Sequence, residues 1–283
     1  MPAPTLLTGL SEIADLYDTV LCDVWGVIHN GRESFPEACE ALRRFRETRG
    51  PVVLISNAPR PAEAVLSQLQ DLGVPRDAWS AFVTSGDATR VELGRRAPGP
   101  VWAVGPERDR PLYDGLALEF AGPDEAALIC CTGLDDDEVE RPGDYLDRLS
   151  GPAKRKLEML CANPDRVVQK GDMLIFCAGA VADVYEALGG PVIMAGKPFA
   201  PIYQLALERA EQVGGRAPGR VLAIGDAVVT DVKGANAQGV DCLFVARGIH
   251  AEELSSPLQA AEVAALLARD AAVAAYAAPD LRW

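Results

Sequence analysis

Short, continuously apolar segments alternate with helical segments along this chain, and this alternation most constrains its fold. The runs Thr19–Cys22, Pro51–Ile55 and Ala81–Thr84 have the character of buried strands, and helical patterns over Pro36–Arg49 and Pro61–Leu72 separate them. Strands without polar alternation are typical of a parallel sheet that is covered by helices on both faces. The sequence therefore predicts an α/β fold with a Rossmann-like parallel sheet core.

The same alternation returns near the other end of the chain. Val221–Ile224 and Val240–Val245 are strand candidates, and Pro201–Val213 and Asp231–Gln238 are helix candidates. We expect these segments to complete the sheet that the first part of the chain begins.

The middle of the chain reads as a long insertion between the two halves of this sheet. We expect residues 1–88 and 192–283 to form the core, and residues 89–191 to form an inserted second α/β domain. The elements predicted in the insertion are strands at Val101–Val104, Ala127–Cys131 and Met173–Cys177, and helices around Lys154–Leu160 and Ala180–Leu188.

Composition and charge exclude several classes of function. A formal charge of −14 argues against nonspecific nucleic-acid binding, which requires basic surfaces. No signal peptide is evident at the N-terminus, and the most apolar C-terminal segment is broken by Arg269 and Asp270, so no membrane span is predicted. The seven cysteines form no C-x-x-C pair, which favours buried, reduced thiols in a cytoplasmic protein.

Polar residues follow the predicted strands at the points where those strands end. Asp23, Ser56 and Asp226 each come directly after an apolar run, Lys197 lies in Ala-Gly-Lys-Pro, and Asp231 follows five residues after Asp226. Each alone has an ordinary structural explanation as a cap, a turn residue or a surface charge. Together, at the carboxyl ends of parallel strands, they indicate a reactive site.

The chemistry of this set is that of phosphoryl transfer. A carboxylate such as Asp23 can attack phosphorus and form an aspartyl-phosphate. Asp23, Asp226 and the backbone carbonyl of Trp25 would supply the hard oxygen ligands of Mg²⁺. Lys197 would stabilise the transferring oxygens, and Ser56 with nearby backbone N–H groups would bind the remaining phosphate oxygens.

These motifs resemble those of the haloacid dehalogenase (HAD) superfamily, class IIA with a C2-type cap, and most closely the NagD-like sugar or nucleotide phosphatases. The resemblance covers nearly the whole chain. It implies that Asp23 is the nucleophile, Ser56 the phosphate-binding hydroxyl, Lys197 the motif lysine, and Asp226 with Asp231 the acidic metal-binding motif.

The candidate substrate-binding residues are Asn57, Arg60, Asn163 and Asp165. Arg60 follows the phosphate-binding loop and could grip a second anionic group, although a surface position at a helix start explains it equally well. Asn163-Pro164-Asp165 resembles an Asn-Pro-Asp element of the NagD-like caps, and in isolation it would only indicate a turn.

Trp25 departs from the family pattern. NagD-like phosphatases carry a second Asp at this position, where it protonates the leaving group, and the indole N–H of Trp25 cannot act as an acid or a base at ordinary pH. Loss of general acid catalysis typically costs about 10²–10⁴-fold in rate. His29 is the one evident substitute, and Trp25 could equally form a hydrophobic wall of the pocket.

The sequence thus predicts a Mg²⁺-dependent phosphohydrolase that acts on a small phosphorylated metabolite with a sugar phosphate-like structure. A phosphometabolite-binding or regulatory protein without useful turnover is the alternative, and a hydrolase or transferase whose leaving group needs no proton is a third. The expected partners include no nucleic acid and no membrane. The C-terminal segment ending at Trp283 is apolar enough to dock on its own core or on a neighbour, which leaves a homodimer open.

Overall fold

A seven-stranded sheet forms the centre of the first of two units in this computed structural model, which describes residues 3–170 and 173–283. The first unit contains the chain up to Ser56, Val65–Val83 and Lys197–Trp283, and the second contains Asn57–Ala64 and Thr84–Gly196. Numbered in chain order, the strands are β1 Thr5–Leu6, β2 Thr19–Asp23, β3 Val52–Ser56, β4 Ala81–Thr84, β5 Val101–Val104, β6 Leu128–Cys131, β7 Glu158–Cys161, β8 Val167–Lys170, β9 Met173–Phe176, β10 Val192–Met194, β11 Val221–Gly225, β12 Asp241–Val245 and β13 Tyr276–Ala278.

The helices cover these sheets with apolar faces. In α1, for example, Ala38, Leu42 and Phe45 lie on the buried side of the helix, at the spacing that a 3.6-residue repeat requires. The α-helices are α1 Pro36–Thr48, α2 Ala62–Asp71, α3 Ser85–Arg95, α4 Leu146–Lys154, α5 Ala178–Ala187, α6 Ala200–Gly214, α7 Lys233–Gln238 and α8 Ala260–Ala268.

The sheet of the first unit has the order β1-β13-β12-β11-β2-β3-β4, and its pairs from β1 to β3 are parallel. Strands β2 and β3 are buried over their whole length, as expected for central parallel strands. Because parallel strands point the same way, the residues that follow β2, β3, β11 and β12 emerge at one edge. The prediction of an α/β fold with a Rossmann-like parallel sheet is confirmed.

The second unit contains a parallel sheet of its own, with the order β10-β7-β6-β5. Successive residues of β6 point to opposite faces, so that Ile129 and Cys131 join one buried cluster while Leu128 and Cys130 join another. An antiparallel pair, β8 with β9, completes the unit.

The helix predicted around Lys154–Leu160 is wrong. Helix α4 ends at Lys154, a turn with Lys156 at a φ of +57° follows, and Glu158–Cys161 forms strand β7. The sequence Glu-Met-Leu favours a helix locally, but β7 pairs with β6 on one side and β10 on the other. Burial in the middle of a sheet outweighs intrinsic propensity of a few tenths of a kcal/mol per residue.

The C-terminal segment docks on the chain's own core. Strand β13 pairs with both β12 and β1, and Leu281 beyond it is buried. All seven cysteines are buried and free. Among residues 3–170 and 173–283, none of the helices has the length and apolarity needed to cross a bilayer.

Candidate active site

Three carboxylates and one ammonium group meet at the carboxyl edge of the first unit's sheet. Asp23 is the last residue of β2, Asp226 follows β11 directly, and Asp231 lies in a π-helical turn at Val228–Val232. One carboxylate oxygen from each of the three aspartates lies within 4.8 Å of the others. All three are buried, and Lys197 among them is only 3% exposed.

Lys197 bridges two members of this group. Its Nζ donates to Asp231 Oδ1 at 2.7 Å and makes a close contact with Asp23 Oδ1. Asp231 is itself fixed, because its Oδ2 accepts the backbone N–H of Ala227 at 3.1 Å. At Gly225 a Cβ would lie 2.2 Å from the Asp231 side chain, so the strand end must be glycine for Asp231 to turn inward.

The electrostatics of the group leave an excess of negative charge. Desolvation, together with the neighbouring carboxylates, raises the pKa of Asp226 to about 8 and the pKa of Asp231 to about 6. Burial alone would lower the pKa of Lys197, but Asp23 and Asp231 hold it well above its ordinary value. One ammonium cannot balance three ionised carboxylates, so a further cation would stabilise their ionised form.

The Asp226 side chain fits between residues 26 and 248 only because both are glycines. A Cβ at Gly26 would lie 2.1 Å from Asp226 Oδ2, and a Cβ at Gly248 would lie 1.7 Å from the same atom. The backbone N–H of Ile249 donates to that oxygen at 2.8 Å. The donor set is made of hard carboxylate oxygens held from several elements, which fits a divalent cation such as Mg²⁺ and does not suit a soft metal.

Gly26, Gly248 and Ile249 were not predicted as site residues. Gly26 has a φ of +76°, a conformation that favours glycine, and it follows the predicted nucleophile by three positions. Gly248 follows strand β12, which is the neighbour of β11 in the sheet. The sequence does place a glycine after β12, but its closeness to Asp226 can be inferred only when β12 is known to lie beside β11.

Ser56 ends β3, the strand next to β2, so it emerges at the same edge as Asp23. It is buried. The structure thus brings the five predicted catalytic residues to one edge of one sheet, and their roles in catalysis stay predictions.

Trp25 is 46% exposed and its ring is held by its own loop. The ring stands edge-on to His29, with centroids 4.9 Å apart, and a Cβ at Gly31 would lie 2.4 Å from it. His29 is fully buried, its Nδ1 accepts the Gly31 N–H at 3.0 Å, and burial lowers its pKa to about 4. These contacts favour a structural role for His29 over that of a substitute acid.

Three of the four predicted substrate-binding residues form one hydrogen-bonded group within the second unit. Asn57 Nδ2 donates to Asp165 Oδ1 at 2.9 Å, and the backbone N–H of Asp165 donates to Asn163 Oδ1 at 3.0 Å. The Asn-Pro-Asp tripeptide therefore forms a turn that also holds Asn57. Binding of substrate by these residues stays a prediction.

Arg60 lies elsewhere in the second unit. Its Nε is 3.9 Å from Asp109 Oδ1, and its backbone carbonyl accepts the hydroxyl of Thr84 at 2.7 Å. The side chain of Arg60 is about one-third exposed, and Asp109 is buried. Binding of an anionic group of the substrate by Arg60 stays a prediction.

The sequence matches family models over both parts of the core sheet. A model described as haloacid dehalogenase-like hydrolase matches residues 20–119, and one described as HAD-hydrolase-like matches residues 194–270. Together they span more than half of the chain, which belongs to the haloacid dehalogenase-like hydrolase family, as its motifs predicted.

Particular relatives resemble the chain over most of its length. A solved haloacid dehalogenase-like hydrolase from Brucella suis 1330 is 41% identical, covers 99% of this chain and all of its own, and has a TM-score of 0.83. The 5'-nucleotidase YutF of Bacillus subtilis is 26% identical over 84% of this chain and 90% of its own length. A glycerol phosphate phosphatase of Mycobacterium tuberculosis, solved with calcium, is 26% identical over 84% of this chain and 68% of its own, with a TM-score of 0.66.

Proposed function

We propose that this hydrolase cleaves phosphate monoesters of small metabolites through an aspartyl-phosphate on Asp23, with Mg²⁺ as cofactor. The observation that carries the proposal is the convergence of three buried carboxylates, two of them in contact with Lys197, at the carboxyl edge of the sheet. Named phosphatases among the relatives support the reaction class, and the Mycobacterium enzyme has also been solved with magnesium.

Mg²⁺ would be held by Asp23, Asp226 and the carbonyl of Trp25, with Asp231 close by. When bound, it supplies positive charge that allows an anionic ester to approach these carboxylates. The other roles fall to side chains of the protein. Lys197 holds the Asp23 carboxylate in place and offers charge to the phosphoryl oxygens, and Ser56 donates a hydrogen bond to one of them.

The reaction proceeds in two displacements. In the first, a carboxylate oxygen of Asp23 forms a bond to phosphorus while the ester P–O bond breaks, and the leaving alcohol departs with the electron pair. In the second, water attacks phosphorus, the aspartyl P–O bond breaks, and inorganic phosphate and free Asp23 result. The proton released from the water passes to the departing phosphate or to solvent.

Trp25 determines which esters react fast. It supplies no proton to the departing oxygen, so an alkoxide must be protonated by solvent. General acid assistance is worth about 10²–10⁴-fold, and that factor is lost for alkyl esters. A phenolate needs no such proton. We therefore expect aryl phosphates to react much faster than alkyl phosphates.

The test is phosphate release from p-nitrophenyl phosphate and from glycerol 3-phosphate, with Mg²⁺ and with EDTA. We expect release that depends on Mg²⁺ and that favours the aryl ester. Asp23→Asn should abolish it, and Asp71→Asn, which removes an exposed carboxylate at the end of α2, should not. Acid quenching during turnover, followed by mass spectrometry, should find one phosphoryl group on the peptide that contains Asp23.

Two results would contradict the proposal. One is full activity in Asp23→Asn. The other is tight, Mg²⁺-dependent binding of both esters without release of phosphate, which would identify a binding or regulatory protein.

A further inference from the structure

Large apolar side chains are exposed beside the acid cluster. Trp25 lies two residues after Asp23, Phe199 two after Lys197, and Val229 two before Asp231. Ile249, whose backbone binds Asp226, is 74% exposed. The exposed fractions of the other three side chains lie between 40% and 51%. We call Trp25, Phe199, Val229 and Ile249 the apolar rim.

The strand order brings three members of the rim near one another. Trp25 follows β2, Val229 follows β11 and Ile249 follows β12, and these strands are neighbours in the sheet. Adjacent strands are about 4.8 Å apart, so the loops that leave β12 and β2 start about 10 Å apart. The two glycines that flank Asp226, Gly26 and Gly248, directly adjoin Trp25 and Ile249 in the chain.

Such a rim is unusual for a site that receives a dianion. Charged groups are better solvated among polar neighbours, and a phosphate group alone gains nothing from an exposed indole or sec-butyl surface. Exposed apolar side chains that are concentrated around one functional site typically mark a binding surface. The part of a phosphate ester that suits this apolar surface is its alcohol group.

Contacts within its own loop hold the ring of Trp25. Its ring rests against Gly31, whose φ is +82° and whose missing side chain makes room for it, and it contacts the His29 ring edge-on. A flat aromatic surface held in this way can stack on a ring of the ligand without losing much conformational freedom.

Building on the proposed phosphatase activity, we infer that Trp25 determines specificity and that the substrate class is phosphate esters with an apolar, above all aromatic, group on the alcohol side. This selection by contact is separate from the electronic preference for good leaving groups. The preference for a ring should therefore also be seen between two alkyl esters when only one of them carries a ring.

Benzyl phosphate and ethyl phosphate separate the two effects, since both release an alkoxide that needs a proton and only one carries a ring. We expect kcat/KM of the wild-type protein with Mg²⁺ to be at least about tenfold higher for benzyl phosphate, the scale on which apolar pockets discriminate. Trp25→Ala should bring the ratio close to one, and Trp25→Phe should keep most of it. Leu16→Ala, at an equally exposed apolar residue that precedes β2 at the opposite edge, should leave the ratio unchanged.

A second measurement does not depend on turnover or on the variants. Benzylphosphonate and ethylphosphonate cannot be hydrolysed, and we expect the first to inhibit, or to bind as measured by calorimetry, about tenfold more tightly. Equal affinities would overturn the inference even if Trp25→Ala failed to fold.

The remaining outcomes distinguish the inference from the function on which it rests. Equal cleavage of the two esters by the wild-type protein would refute the inference and leave the phosphatase proposal intact. An equal loss on both esters in Trp25→Ala would assign the ring to packing and would also refute it. Absence of phosphate release from any ester would refute the proposed function, and the phosphonates would still decide whether the rim selects a ring.

Discussion

Gly248→Ala should damage the proposed metal site without disturbing the sheet. A Cβ at residue 248 would lie 1.7 Å from Asp226 Oδ2 and 2.3 Å from the Asp226 Cβ and Cγ. Ordinary carbon contacts are about 3.5–4.0 Å, so the loop and the carboxylate must separate by more than about 1 Å. Rotation of the Asp226 side chain does not move the Asp226 Cβ, so it cannot relieve the contact with that atom. The hydrogen bond from Ile249 to Asp226, 2.8 Å long, is therefore broken or stretched.

The magnitude follows from that hydrogen bond. A hydrogen bond to a charged group contributes about 1.5–3 kcal/mol, which corresponds to a roughly 10- to 150-fold change in an equilibrium constant. We expect Gly248→Ala to bind Mg²⁺ more weakly by a factor in this range, measured by isothermal titration calorimetry. The Mg²⁺ concentration that gives half-maximal hydrolysis of p-nitrophenyl phosphate should rise in parallel.

The matched control is the same substitution where nothing is displaced. A Cβ at Gly94, in helix α3, meets no atom within 4 Å, so Gly94→Ala should leave Mg²⁺ affinity unchanged and be neutral or slightly stabilising. If Gly248→Ala bound Mg²⁺ within twofold of the wild-type protein, the assignment of Asp226 as a ligand held between two glycines would be refuted.

Three further perturbations test the site. Lys197→Met leaves buried carboxylates unpaired and should lower the free energy of unfolding in urea by about 3–5 kcal/mol. Mg²⁺ should recover part of this loss. An unchanged unfolding midpoint would contradict the argument that Lys197 compensates the charge of the carboxylates. Because the pKa of His29 is lower in the folded chain than in the unfolded one, stability should fall as pH drops from about 6.5 to about 4, by about 3 kcal/mol in all. His29→Asn should flatten that dependence in thermal melts, and a profile identical to that of the wild-type protein would exclude His29. Trp25→Asp should raise kcat on glycerol 3-phosphate by up to about 10²–10⁴-fold, and no gain in a folded variant would refute the missing-acid explanation.

The sheet core could be predicted from sequence because its central strands are buried on both faces. Thr19–Asp23 and Val52–Ser56 are continuous apolar runs that end in a polar residue, and such runs have few other interpretations. The direction of parallel strands then placed Asp23 and Ser56 at one edge without any knowledge of tertiary contacts.

The elements that were missed depend on distant partners. Strand β7 is a strand because β6 and β10 flank it, although its residues favour a helix. Strand β1 is two residues long and exists through its pairing with β13, about 270 positions away. Contact between Gly248 and Asp226 likewise requires β12 to lie beside β11. Local patterns carry no information about such pairings.

The two proposals about Trp25 both favour aryl phosphates, and they concern different properties of the ester. On the proposed mechanism, the absence of an acid at residue 25 would select leaving groups by their basicity, whereas the apolar rim would select them by contact area. Benzyl phosphate has a ring that can contact the rim but a basic leaving group. A small activated ester such as trifluoroethyl phosphate has a weakly basic leaving group but no ring. Phenyl phosphates have both the ring and the weakly basic leaving group. If both explanations hold, their effects on kcat/KM should multiply across this set, because one acts on bond cleavage and the other on binding. Trp25→Phe should then leave the leaving-group dependence intact, and Trp25→Asp should weaken both dependences at once, since it removes the ring and restores the acid.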